Sequence, residues 1–582
     1  MRYLLWTIGL SALLVATALV SRPLLPVDET RYMSVAWEAH VRGDFLVSHL
    51  NTETYAHKPP LLFWLINAVW VVTGLNEYAA RLVSPFVGIA CIVLTSLMAR
   101  RLWPDSVAFQ RCAPLVQTSL TLWVFFCPLT MFDMLLTCFT MLALLGVLRA
   151  ESGATVSGWL ITGLALGLGI LSKGPVILVH VLPAALAAPW WSARVRSNRM
   201  QTALWYPGCL LAICLAAVVG LSWALPAAAA GGAEYGEELL FGQTQGRMVN
   251  SFAHRQPFWW YLPLLPLCLM PWILMGTPWR GLRVVKLDSP LKFLLCWAGG
   301  SLLIHSLISG KQIYYLLPAM PAFAMILARL VTSVEGLVPK RDLYVVIAGT
   351  IGLGALPLIA NHIPPVSGTA LRDLIPDWYS VVLIACGVFL VPFANRRVEL
   401  VAFAVGTSSV VFFALVVVSL TSTVWKGFEL KPLAEMVASS DKDFAWYGHY
   451  HGELNYLGGV RYVQEVRHLG PLEKWATNFP DGRIIIRLSK DNMKAMKNFG
   501  VDAANAAPLT ATQLQSITDM LRSDDDFLGH EWQPTVTHLY WIRRGLPVDP
   551  YVVVTFDKPP EREPNSGILN GRLQEYTPRG LE

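Results

Sequence analysis

Charged side chains are scarce in this sequence. Asp, Glu, Lys and Arg make up 14% of its 582 residues, against 54% hydrophobic and 11% aromatic. A soluble protein carries about 25% charged residues, so most of the chain is expected in lipid. Cysteine gives no scaffold either. All nine lie in apolar segments, no CxxC pair occurs, and none follows Cys386. That excludes a disulfide framework and a thiolate metal site. No internal repeat, low-complexity tract or Gly-rich phosphate loop is present, so a nucleotide-binding role has no support. Nothing points to a nucleic-acid partner.

Long apolar runs are what the chain has instead. Runs that fit the roughly 20 residues of a membrane span lie at 3–21, 81–99, 112–128, 131–149, 158–172, 175–191, 204–228, 258–278, 290–309, 313–331, 342–361, 378–394 and 399–422. The expectation is a polytopic α-helical membrane protein of about 13 transmembrane helices. Trp64, Trp103, Trp190, Trp259 and Trp425 sit near the ends of apolar runs, as an aromatic belt does. The run 60–73 is short and opens on Lys58-Pro59-Pro60. Taken as an interfacial helix, it leaves one set of connections rich in Arg and Lys, among them Arg100, Arg101, Arg111, Arg194, Arg196, Arg199, Arg280, Arg283, Lys340, Arg341, Arg396 and Arg397. The positive-inside rule makes that side cytoplasmic. The N-terminus is then inside, and 22–80 and 423–582 are outside. Within 425–582, short β-like runs ("FAWYGHY", "GRIIIRLS", "HLYWIRR", "YVVVTF") alternate with helical or turn-rich stretches, which predicts one small α/β domain.

The outward-facing polar residues form a short set. Loop 22–80 holds Asp28, Glu29, Arg31, Tyr32, Tyr55, His57, Lys58 and Arg81. Asp133 lies near the outer end of its helix, and Lys173 in the hairpin "LSKGP". Loop 229–257 supplies Arg247, His254 and Arg255, and "GKQIYYLLP" supplies Lys311, Tyr314 and Tyr315. Each has a bland reading. Asp28 could be an N-cap, Arg42 and Arg81 read as snorkelling anchors, and the tyrosines could belong to the belt. Asp133 resists this, because an ionisable group inside a membrane helix is a functional candidate by default.

Cations suit a phosphate, and a phosphate at a membrane surface is most simply a lipid phosphate. Carboxylates suit attack at a sugar carbon, where oxocarbenium-like charge develops. Together they describe sugar transfer from a lipid phosphate. A transporter would also carry buried Asp and Lys, but no symmetric pair of broken spans or mid-depth charge set is present.

At these residues a resemblance enters. "DETRY", "HKPPLLFWL", "FDMLLTCF", "LSKGP", "GRMVNSFAHRQPFWWY" and "KQIYYLLPAMP" follow the order seen in polyprenyl-phosphate-sugar-dependent transferases of the GT-C superfamily. The chain resembles the bacterial lipid A aminoarabinose transferases, relatives of the protein O-mannosyltransferases, over about residues 1–420. The resemblance implies a GT-C fold, a C-terminal periplasmic α/β domain, an undecaprenyl-phosphate-linked sugar donor, and lipid A as acceptor, with polymyxin resistance as the consequence. A protein hydroxyl or another glycan is the alternative acceptor. It also implies a multi-pass protein of the bacterial inner membrane, monomeric and surrounded by membrane lipids, with its site facing the periplasm. Carried over residue by residue, Asp28 and Asp133 are the catalytic carboxylates. Lys58, Arg31, Lys173, Arg247 and Tyr315 bind the donor phosphate. Glu29, Tyr32, Tyr55, Arg255, Lys311 and Tyr314 line the cavity. The family usually has Glu just before the "KP" lysine, and in some members that Glu and a downstream His hold a metal. Here His57 stands in its place, with His254 downstream, so zinc is optional and no cofactor is expected to be required.

Overall fold

The computed structural model describes residues 2–197, 199–242, 255–359, 378–421, 424–489, 492, 495–499, 501, 509–524, 534–543 and 548–556. The chain divides into two compact units, Met1–Lys426 and Gly427–Glu582.

The first unit is helical. Its opening elements are α1 (Arg2–Ser21), α2 (Asp28–Arg42), a short hairpin of β1 (His49–Leu50) and β2 (Glu53–Thr54), and α3 (Leu61–Thr73). Then follow α4 (Glu77–Leu102), α5 (Val107–Ser119), α6 (Thr121–Phe126), α7 (Phe132–Glu151), α8 (Thr155–Lys173) and α9 (Ile177–Leu186). Among the described residues, eight helices are long and apolar enough to cross a bilayer, which makes the chain a multi-pass membrane protein. α3, with 13 residues, rises only about 20 Å, short of the roughly 30 Å hydrocarbon layer.

Several expected spans are not single helices. The run 112–128 breaks at Leu120, whose backbone is extended (φ −65°, ψ 130°). The run 258–278 divides into Tyr261–Cys268, a turn at Trp272–Leu274 and Gly276–Val284. The two breaks satisfy one another, as groups shielded from water must. The Thr121 N–H donates to the Met270 carbonyl at 3.2 Å, and the Trp272 indole N–H donates to Ser119 Oγ at 2.7 Å. Pro271, which lacks a backbone N–H to donate, stands at the break between the first helix and the turn.

The α7–α8 hairpin positions the site. Gly153, in the turn, has φ +107°, a conformation L side chains rarely adopt. The helices lie almost in contact: a Cβ added to Gly158 would come within 2.4 Å of the Ala150 backbone N. Thr162 Oγ1 donates across the seam to the Ala143 carbonyl at 3.1 Å, a small-residue membrane packing. Asp133 precedes Gly153 by 20 residues and Lys173 follows it by 20, about 30 Å of helix each way. The hairpin therefore brings those two side chains level at its far end.

The second unit is a mixed five-stranded sheet in the order β4-β3-β5-β7-β6. Its strands are β3 (Phe444–Tyr447), β4 (Gln464–Val466), β5 (Arg483–Arg487), β6 (Pro534–Arg543) and β7 (Val548–Phe556). β3 runs parallel to β4 and β5, and β7 antiparallel to β5 and β6. Alternate residues serve opposite faces, as the strand period of two requires. Ala445, Ile484, Ile486, Val552 and Val554 pack with Leu472, Trp475, Ile517 and Leu521. Trp446, Ile485, Tyr551 and Val553 pack with Leu430, Leu433 and Val437.

Candidate active site

The site starts where the chain leaves α1. Asp28 and Glu29 are sequence neighbours, but one helical residue turns them about 100° apart, and they face different surroundings. Glu29 is buried (2% exposed) in an ion pair with Arg22. Its Oε1 accepts the Thr130 N–H at 2.7 Å and its Oε2 the Leu25 N–H at 3.0 Å. Arg22 also donates to the Pro128 carbonyl at 2.9 Å. Burial alone would push the Glu29 carboxyl up, but Arg22, with help from Arg81, holds it below its ordinary value. Glu29 was expected among the cavity-lining residues; the structure makes it an anchor. It ties the first turn of α2 to the segment that leads into α7.

Asp28, 40% exposed, is ion-paired with Arg31 and accepts the Tyr32 phenol at 3.2 Å. It opens the helix, and the residue capping α2 is Val27, with no side-chain cap, so the N-cap reading of Asp28 does not hold. Burial disfavours the Arg31 charge, yet Tyr55, Tyr32 and Asp28 together raise its pKa. Burial and Asp28 push the Tyr32 phenol well up, which keeps it a proton-bearing donor.

Tyr32 meets Phe132 edge-on at 4.8 Å, and Lys58 Nζ lies 5.7 Å from the centre of the same ring. The next residue, Asp133, sits in the first turn of α7, and Lys173 in the last turn of α8. The helix dipoles favour each charge where it stands. Lys173 Nζ donates to Asp133 Oδ1 at 2.6 Å, and both are largely buried. The ammonium is 4.9 Å from the rings of both Tyr314 and Tyr315, which meet nearly at right angles. Tyr314 is within electrostatic reach of Asp28, Asp133 and Arg31. Asp28, Arg31, Tyr32, Tyr55, Lys58, Asp133, Lys173, Tyr314 and Tyr315 thus gather from four segments distant in sequence.

Other expected members stand elsewhere. Lys311, also expected to line the cavity, is 3% exposed, with Nζ bonded to the carbonyls of Ile308 and Gln256. It is a clasp for the chain at Arg255–Gln256, where Arg255 bridges Gly310. Arg247 and His254 lie outside the described residues. His57 Nδ1 is 3.5 Å from Glu238 Oε1, both half-exposed. A structural zinc site takes four protein ligands and a catalytic one three; among the described residues no group of three or more His, Cys, Asp or Glu could hold a metal.

Three residues escaped the sequence reading. No motif in the sequence marks Arg22 or Glu38, and Arg81 reads there as a snorkelling anchor. Arg81 is instead buried (2% exposed), paired with Glu77 at 2.9 Å and donating to the Arg22 carbonyl at 2.9 Å. Arg42, likewise read as a snorkelling anchor, pairs with Glu38. The i,i+4 spacing of both pairs was the available signal.

Residues 57–223 match the family model described as dolichyl-phosphate-mannose-protein mannosyltransferase. The undecaprenyl phosphate-alpha-4-amino-4-deoxy-L-arabinose arabinosyl transferase of Pectobacterium atrosepticum is 31% identical over 373 residues, 61% of this chain and 65% of that protein. Its counterpart from Pseudomonas aeruginosa is 31% identical over 308 residues, 52% of this chain and 54% of that protein. The matches therefore span less than two thirds of these relatives. The crystal structure of ArnT from Cupriavidus metallidurans bound to undecaprenyl phosphate superposes with a TM-score of 0.67 at 17% identity, covering 94% of this chain and 98% of that one. Its apo form gives 0.65. At that identity the likeness speaks for the fold. In sequence and in fold, the chain is similar to the aminoarabinose transferases of the GT-C superfamily.

Proposed function

We propose that the chain is an integral membrane glycosyltransferase. It moves 4-amino-4-deoxy-L-arabinose, or a related amino sugar, from undecaprenyl phosphate to a lipid A phosphate at the periplasmic face of the inner membrane. The observation that carries this reading is the meeting of two carboxylates, three cations and several tyrosines at the ends of α2, α7 and α8. The similarity to transferases of that donor supports it. Lys58, Arg31, Lys173, Tyr315 and Arg247 hold the donor phosphate, while Asp28 and Asp133 face the sugar. Cations neutralise the departing lipid phosphate, so it needs no general acid. A single displacement inverts the anomeric centre without a glycosyl-enzyme intermediate. The protein acts as a monomer and requires no metal. Mass spectrometry of lipid A from cells with and without this chain tests the reading. Amino-sugar adducts only in cells that carry it are expected, and unmodified lipid A refutes the acceptor.

The topology proposed with it has thirteen spans, a cytoplasmic N-terminus, and an outward loop 22–80 and C-terminal domain. Asn76 caps α4, accepting the Ala79 N–H at 3.0 Å, so the neighbouring Leu75, 52% exposed, is the better probe site. Leu75→Cys should react with an impermeant thiol reagent added from the periplasmic side. Labelling only from the cytoplasm overturns both the topology and the location of the site.

Phosphate binding makes a second expectation. Lys58→Ala removes a charge-assisted contact of about 1.5–3 kcal/mol, so donor use should weaken while the protein stays folded. Lys58→Arg should restore only part, because the guanidinium fork is larger and differently shaped. Unchanged activity of Lys58→Ala at limiting donor removes Lys58 from the phosphate site.

A further inference from the structure

The far end of α2 carries a second buried carboxylate. Glu38 is 5% exposed and lies ten residues from Asp28, about 15 Å along the helix. Its Oε1 accepts from Arg42 Nε at 2.9 Å and from the Thr52 N–H at 3.0 Å, and the Asn51 N–H is directed to the same carboxylate. Arg42 also reaches the Thr52 carbonyl at 3.4 Å.

Those backbone groups belong to an unfavourable turn. The β1–β2 hairpin pairs His49 with Thr54 and Leu50 with Glu53, which leaves Asn51 and Thr52 as its two-residue turn. Both have positive φ, 55° and 70°. A turn of this kind selects Asn-Gly. Asn tolerates its position, but a β-branched threonine at positive φ is an outlier. Such strain persists where surrounding contacts over-determine it, and it clusters at functional sites. Here the over-determining contact is the Glu38 carboxylate.

The hairpin leads directly to site residues. The Tyr55 N–H extends it by donating to the Ser48 carbonyl at 2.8 Å. Tyr55 then acts electrostatically on both Arg31 and Tyr32, and Lys58, three residues on, stands over Phe132. The hairpin's approach is held separately: Trp64 and Trp223 donate to the carbonyls of Phe45 and Leu46 at 2.7 and 3.0 Å. The turn between the two strands is tied to α2 through the Glu38 carboxylate.

We propose that Glu38 is a positioning residue for the donor. Its buried carboxylate holds the strained Asn51–Thr52 turn in place, and so fixes Tyr55 and Lys58 against the Asp28 cluster. This rests on the donor-phosphate role given to Lys58 above. A side chain that merely filled space would influence only how much folded protein forms.

The test uses the full-length protein in lipid nanodiscs: wild type, Glu38→Gln, Thr52→Gly and the double variant. KM and kcat are measured with undecaprenyl-phosphate-linked aminoarabinose and lipid A, and amide hydrogen exchange is followed over residues 49–58. Glu38→Gln should raise the donor KM about tenfold, within what a small displacement of binding groups can cost, with kcat little changed and faster exchange in the hairpin. Thr52→Gly relieves the strain at that position, so alone it should behave as wild type, and in the double variant it should restore KM and exchange. Should Glu38→Gln fail to fold, Glu38→Asp keeps the charge but withdraws it by one methylene, and is read in the same way. Unchanged KM and exchange in the Glu38 variant, or a loss that Thr52→Gly does not reduce, overturns the proposal. If wild type does not use this donor, the functional reading fails separately. Hydrogen exchange then decides the positioning claim alone: release on Glu38 substitution and its reversal by Thr52→Gly uphold it, and unaltered exchange refutes it.

Discussion

Asp28→Asn should abolish sugar transfer while leaving a folded protein that still binds undecaprenyl phosphate. The amide matches the carboxylate in shape and can keep the bond from Tyr32, and Arg31, whose ion pair is lost, keeps a 20% exposed side chain with access to water. What disappears is the negative charge facing the sugar. In the proposed reaction a lipid A phosphate, already anionic near neutral pH, attacks the anomeric carbon and needs no base. Asp28 then orients the sugar, grips its amino group and stabilises the positive charge growing at that carbon, a task Asp133 shares. Loss of one such preorganised group costs on the order of 10²–10³ in kcat. The wild-type rate should also show no essential base titrating in the carboxylate range. A different result would be decisive: a rate that rises with pH through one carboxylate-like pKa, removed by Asp28→Asn, with lipid A unmodified. The acceptor would then be a hydroxyl, deprotonated by Asp28.

Arg22→Ala should be the most destabilising single change in this region. It leaves Glu29 buried without its counter-charge, typically about 3–5 kcal/mol, against a total stability of only about 5–15 kcal/mol for a folded domain. Adding Glu29→Gln to Arg22→Ala should recover part of the loss, because a neutral amide is cheaper to bury than a lone carboxylate. pH separates the charge from the packing. The folded Glu29 carboxyl lies below its ordinary value of 4.5. Its stabilising contribution is therefore complete above that pH and disappears as pH falls through the lower folded value. Thermal unfolding in detergent should show wild type and Glu29→Gln well separated at neutral pH and converging in acid. A constant separation at all pH would mean that the pair contributes by shape alone.

How much of this was legible in the sequence depended on spacing. Asp133 and Lys173 could be read as partners, since each is an ionisable residue at one end of an apolar helix and a turn lies midway between them. Glu29 reads in the sequence as lining the same cavity as Asp28, because adjacency in sequence hides the rotation that separates them on a helix. Lys311 reads in the sequence as a cavity-lining residue, but its bonds are to backbone carbonyls, which leave no trace in residue type. The run 258–278 reads as one span by composition, while the structure divides it into three pieces around Pro271. In the second unit the strands around Phe444, Ile484, Trp541 and Val552 announced themselves by β-branched and aromatic runs. β4, only "QEV", did not; it is a strand because β3 lies beside it. Glu38 was invisible for the same reason, since its partners are the amides of a hairpin whose shape no local rule foretells.

The measurement closest to the central claim is transfer by the purified protein. Undecaprenyl-phosphate-linked aminoarabinose and lipid A are incubated with wild type and with Asp28→Asn, and the lipid A is weighed by mass spectrometry. Wild type should add the amino sugar at lipid A phosphate with inversion at the anomeric carbon, and Asp28→Asn should add none. Unmodified lipid A from folded, donor-binding wild type, or equal transfer by both proteins, would contradict the account.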